Sequence, residues 1–346
     1  MLKKAYERIR KLGDKLAKIE PLIDWEAFRP IIAGLFDNRS ERDGRPNLDE
    51  VVMVKLLVLQ SWYGLSDPEL ERQVADRISY QRFLGFPEKA PDYSTVWQFS
   101  ERLAESGRDL AIWEELQRQL DEKGLSVKKG VVQDATFITA DPGHAPADEP
   151  RGEEAQTRRS RDGTWAKKGG RSSYGFKLHA KADVDLGFIR DLETTTASVH
   201  DSRVDLSRPG EMVYRDKGYF GVELRGYSAT MRRGTRGHPL SIRDRLRNRR
   251  INRKRAPGER SFAVIKRVFD VGHVLVTTVE RVRVKMVFAC FCFKRARSSR
   301  TVARSWFPGP TWSSSMNKEA FEGSRPAPQV SPPHLGGATP HPGCIT

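Results

Sequence analysis

Three acidic residues stand where an acid is costly or isolated. Asp134 interrupts the apolar run Val131-Val132-Gln133-Asp134-Ala135-Thr136-Phe137-Ile138, and an ionised side chain in a buried strand is unfavourable unless paired or metal-bound. Asp216 follows directly on Met212-Val213-Tyr214-Arg215, with Gly218 beyond it to allow a sharp departure from the strand. Glu259 shares residues 225–267 with one other acid, Asp244, and fifteen basic residues. Separated carboxylates converging at strand ends in a basic surround suit phosphodiester chemistry with two Mg2+ (or Mn2+) ions. Such ions lie about 3.5–4 Å apart, activate the attacking oxygen and stabilise the leaving one. Magnesium takes hard oxygen ligands, so neither histidine nor cysteine is required. Taken singly, each acid has a plainer role: a strand-end aspartate caps a turn, and a first-turn glutamate complements the helix dipole. Order and setting together favour the metal.

The setting is strongly basic. Lysine and arginine number 61 against 45 acids in 346 residues, a formal charge of +16. The excess concentrates in Arg243-Asp244-Arg245-Leu246-Arg247-Asn248-Arg249-Arg250, continuing into Arg253-Lys254-Arg255. A solvated helix face would alternate the two signs, and this run does not. Arginine forks match phosphate oxygens two at a time, so the segment is expected to bind a nucleic-acid backbone. No run of about 18 apolar residues occurs, which excludes a transmembrane helix. The start, Met-Leu-Lys-Lys-Ala-Tyr-Glu, lacks the apolar stretch of a secretory signal. Cys290, Cys292 and Cys344 offer neither a disulfide framework nor a zinc spacing. The chain reads as cytoplasmic.

Residues 1–125 carry apolar positions at helical spacing, broken by turn and cap signals such as Gly64 and Ser66-Asp67-Pro68-Glu69. This all-helical unit permits a helix-turn-helix, with the segment after Ser94 as a groove reader. Past Gly130 the pattern turns to strands: one over 131–140, two joined at Asp185-Leu186-Gly187, and a short one at Met212. A helix is predicted from about Gly258 to Phe269. Residues 126–293 thus read as an α/β core, with 141–170 as a mobile loop that includes Trp165 in its basic part. From 294 to 346 eight of the twenty prolines collect among serines, and a disordered tail is expected. His200-Asp201 is expected to form turn hydrogen bonds. His144, His179 and His238 show no ligand spacing, and Tyr219 and Phe220 are expected to pack.

The motifs resemble those of DDE-type transposases of bacterial insertion sequences. Arg255-Ala-Pro-Gly-Glu259 through Lys266 matches most of the group's Y-(2)-R-(3)-E-(6)-K signature, with Asn252 at the tyrosine position. Val131–Thr136 and Tyr214–Tyr219 match the segments bearing the two aspartates, and the N-terminal helices resemble the domain preceding the core. The resemblance implies an RNase H-like mixed sheet flanked by helices. It also implies Asp134, Asp216 and Glu259 as catalytic metal ligands for two Mg2+ (or Mn2+) ions, and DNA contacts from Arg255 and Lys266. With the basic run, Arg249, Arg250, Arg253 and Lys254 join that DNA-binding set. The implied activity is cleavage and strand transfer on double-stranded DNA, at transposon ends and target. A homodimer or higher assembly would work in association with the nucleoid. Asn252 and the altered C-terminus keep open a second reading, a catalytically impaired relative acting as a DNA-binding repressor.

Overall fold

The computed structural model describes residues 2–35, 48–88, 90–127, 129–143, 160–168 and 170–306. Residues 1–302 form one compact unit; a second, from Ala303, holds the end of the last helix and residues outside the described set.

Among the described residues eight α-helices lead: α1 (Leu2–Leu12), α2 (Lys15–Ile19), α3 (Arg29–Ile32), α4 (Glu50–Tyr63), α5 (Asp67–Asp76), α6 (Ile78–Phe83), α7 (Tyr93–Ser106) and α8 (Arg108–Glu122). Their caps follow from sequence. Asp49 accepts from the Val52 N–H, Ser66 from Glu69 and Asp92 from Thr95, each satisfying a donor the first turn leaves free. Gly64 closes α4 at φ 62°, a left-handed value that a side chain would disfavour. Helix α4 is apolar on nearly every face and accordingly buried. Its one buried cation, Lys55, donates to the Phe83 carbonyl at 2.9 Å and lies over the rings of Trp25 and Phe83.

The sheet comprises β1 (Val131–Ala140), β2 (Thr164–Lys168), β3 (Arg171–Asp183), β4 (Ile189–Thr196), β5 (Met212–Arg215), β6 (Tyr227–Thr230) and β7 (His273–Val274). Its path runs β2-β3-β1-β5-β6 with β4 also paired to β3; β4-β3-β1 is antiparallel and β1-β5-β6 parallel. That mixed order is the RNase H-like arrangement. Strand β2 pairs with β3 over part of the stretch expected as a loop, so Trp165 is a strand residue packed edge-on against Tyr174. Residues 144–159 and 169 of that loop lie outside the described residues.

Two long helices complete the unit, α9 (Ile242–Val268) and α10 (Val279–Trp306). Helix α9 begins sixteen positions before the expected start near Gly258 and takes in the whole arginine run. Pro257, whose missing N–H suits a helix start, sits inside it instead. The true start is set by Ser241, which accepts from the Asp244 N–H at 3.1 Å. Helix α10 buries Val282, Met286 and the run Val287–Phe293 among the N-terminal helices. Phe291 packs against Trp25 and Phe28, and Arg283 pairs with fully buried Asp109 at 2.8 Å. The backbone stays helical to Trp306, past the expected start of the tail at 294; residues 307–346 lie outside the described set.

Candidate active site

Strand register sets the first two acids level. Strand β1 pairs in parallel with β5, Val131 beside Val213 and Val132 beside Tyr214. Carried on by two residues, the same offset puts Asp216 beside Asp134. Gln133, facing the other way, fixes the segment behind the sheet: its amide donates to the Val204 carbonyl at 2.6 Å and accepts from Leu206. Asp216 caps a 3₁₀ turn, Lys217–Tyr219, by accepting from the Gly218 N–H at 2.7 Å. The plain role of a strand-end aspartate is therefore realised, and it leaves the carboxylate near Asp134. Burial raises the Asp134 pKa, and the Asp216 charge pushes it the same way, against the pull of Arg255 and the Ala135 N–H.

Helix α9 brings the third acid. It crosses β1 where Gly258 lies against Val132; a Cβ on Gly258 would come within 3.0 Å of Val132 Cγ1, so glycine permits the approach. Asn248 ties the helix to the chain after β6 through two hydrogen bonds with the Arg232 backbone, both 2.9 Å. One turn before Glu259, Arg255 points inward. Its Nη2 donates to Asp134 Oδ2 at 2.7 Å and lies 3.7 Å from Glu259 Oε1. The Arg255 side chain is 8% exposed, Asp134 21% and Glu259 54%. Glu259 stands mid-helix, not in a first turn, so the helix dipole does not account for it.

Among the described residues no three carboxylate, histidine or cysteine groups form a ready metal-ligand cluster. Yet the donor set is chemically apt for a hard cation. Half-buried Asp134, pushed toward protonation by its surroundings and by Asp216, already draws a positive charge, and the group standing between it and Glu259 is a guanidinium. A divalent ion fits that demand.

The expected DNA contacts divide. Arg249, Arg250, Arg253 and Lys254 are exposed along α9, whereas Arg255 is buried against Asp134; Lys266 is partly buried two turns beyond Glu259. Tyr219 packs as expected while Phe220 is exposed, and Arg215 is the neighbour that the sequence did not mark. Tyr219 is buried, its hydroxyl has no hydrogen-bond partner among the described residues, and burial followed by the charges of Asp134, Asp201 and Asp216 raises its pKa. Arg215 is wholly buried over the Tyr219 ring. The period of two along β5, which puts Val213 and Arg215 on one face, was the available signal. His200 caps the 3₁₀ turn Asp201–Arg203, and Asp201 pairs with Lys177 at 2.7 Å, in line with the expected turn hydrogen bonding.

Residues 3–102 match the family described as Transposase domain (DUF772), and residues 125–293 match Transposase DDE domain. No solved structure matched the chain. The two matches lie 22 residues apart and together span most of the sequence, the second enclosing all three acids and the sheet. The chain belongs to the DDE-type transposases of insertion sequences.

Proposed function

We propose that the protein binds the terminal repeats of an insertion sequence and catalyses Mg2+-dependent cleavage and strand transfer of double-stranded DNA, with Asp134, Asp216 and Glu259 as the catalytic acids. The observation that carries this reading is the convergence of β1, the end of β5 and α9. Asp216, just past the end of β5, is near enough for its charge to act on Asp134, and Arg255 joins Asp134 to the turn that bears Glu259. Bound by these carboxylates, Mg2+ (or Mn2+) would polarise the scissile phosphate and assist deprotonation of water or a DNA 3′-hydroxyl.

The chain's own groups do the rest. Exposed Arg249, Arg250, Arg253 and Lys254 hold the phosphate backbone along α9, and Lys266 holds the strand two turns past Glu259. Gly258 lets the helix sit close enough to β1 for one DNA segment to meet both strand acids and helix acid. Residues 1–125 serve as the DNA-end-binding part, 126–293 as the catalytic part, and two transposon ends are brought together by at least a homodimer. Work on chromosomal DNA places the protein in the cytoplasm, at the nucleoid.

The test incubates the protein with terminal inverted-repeat DNA and Mg2+. Wild type is expected to nick and join the ends. Asp134→Asn is expected to lose more than the roughly 10–100-fold that changes around a metal's ligands cost. Binding without cleavage by the wild type would leave the repressor reading in place.

A further inference from the structure

We propose that Arg255 is a resident counter-ion for Asp134, one that a divalent cation must displace, so that this side chain sets how tightly the site takes metal. The inference rests on the proposed role of Asp134 as a metal ligand.

Both oxygens of Asp134 are engaged. Oδ1 accepts from the Ala135 N–H at 2.9 Å, and Oδ2 accepts from Arg255 Nη2 at 2.7 Å. The first bond is local to the strand and stays with it. A cation that coordinates Asp134 therefore competes with Arg255 for Oδ2. A guanidinium left in place would sit beside the ion in a poorly hydrated setting, where like charges repel strongly.

Little else holds Arg255. Its Nε is buried without a partner among the described residues, its Nη1 reaches only the Met231 sulfur at 3.9 Å, and Glu259 lies 3.7 Å away. A buried arginine normally satisfies more of its donors than this. The charge-assisted bond to Asp134 is thus its one strong attachment, and losing it frees the side chain. The helix that carries it also carries Arg253 and Lys254 on its exposed side. A released Arg255 joins them and becomes available to a DNA phosphate. Metal loading and DNA binding then favour each other, because each removes the guanidinium from Asp134; such coupling is reciprocal.

The experiment measures Mn2+ binding to the full chain, by electron paramagnetic resonance of the free ion, together with melting temperature. Arg255→Met is expected to bind Mn2+ about tenfold more tightly than wild type, a typical coupling between sites. Mn2+ should also raise the melting temperature of that variant more than that of wild type. Arg255→Lys, which keeps a charge but loses the fork, should fall between them, and it provides the comparison if the methionine variant does not fold. Affinity unchanged or weakened in the Arg255 variants, with binding abolished by Asp134→Asn, overturns the counter-ion role while leaving Asp134 as a ligand. Binding that survives Asp134→Asn places the ion elsewhere and overturns both.

Discussion

Asp134 sits under two opposing demands, since burial disfavours its charge and Arg255 stabilises it. Removing the arginine without supplying a cation leaves a half-buried carboxylate without its counter-ion, a change that costs at most the about 3–5 kcal/mol of breaking a fully buried pair. Arg255→Ala should therefore melt well below wild type in chelator, and the difference should narrow in Mn2+. His179 offers a separate test of the sheet's other face. It is fully buried, with its Nε2 2.8 Å from the Thr195 hydroxyl, and burial pushes its pKa down to about 4. The fold thus favours the neutral ring. That contribution is complete above the unfolded value near 6.5 and is lost as pH falls through about 4. Melting temperature should fall across that window in wild type, by the equivalent of up to about 3 kcal/mol, and less steeply in His179→Gln. Asp134 stands out in the sequence because a charge inside an apolar run is conspicuous. Arg255 was marked as a DNA contact by the motif it belongs to, but in a run of arginines nothing in the sequence shows that this one turns inward against Asp134.

Helix α9 shows what local rules resolve and what they leave open. That Arg255, Glu259 and Lys266 share one helix follows from their spacing only in part, since its start was misplaced because Pro257 imitates a helix opening. Tertiary anchors decide the matter. Asn248 grips the Arg232 backbone, Arg247 donates to the Thr230 carbonyl at 2.7 Å, and Arg255 reaches the sheet, so distant partners offset the repulsion within the run. Asn248→Ala should cost about 1–3 kcal/mol, since two backbone groups lose their partner. Gly258→Leu should lower stability by a similar amount, about 1–3 kcal/mol for overpacking. It should also depress DNA cleavage far more than that loss explains, because it lifts Glu259 away from β1. Cleavage assayed well below the melting point separates the two effects. Strands β3 and β4 were legible from alternation and their turn. Strand β2 was not, since Thr164–Lys168 carries the polar composition of a loop and becomes a strand only beside β3.

Across the whole molecule the charge is not spread evenly, and α9 displays much of it. Affinity for duplex DNA should fall steeply with salt, with a log–log slope near −0.9 per phosphate contact. Replacing Arg249, Arg250, Arg253 and Lys254 together by alanine should flatten that slope by about 3 to 4; an unchanged slope would place the DNA elsewhere. The core is likewise shared by distant parts of the chain. Residues from α2 to α8, from β1, β3 and β4, and from α9 and α10 belong to one buried cluster. Phe291→Ala should cost about 3–5 kcal/mol and lower a single melting transition, not a separate step for the C-terminal helix. The seat of that phenylalanine is furnished by Trp25 and Phe28, near the opposite end of the sequence. During synthesis, then, the earliest helices emerge from the ribosome with a gap in their midst, and it closes only when almost three hundred residues have been translated. A message cut short before that point would yield a product with bare aromatic surface, fit for a protease and unable to move any DNA.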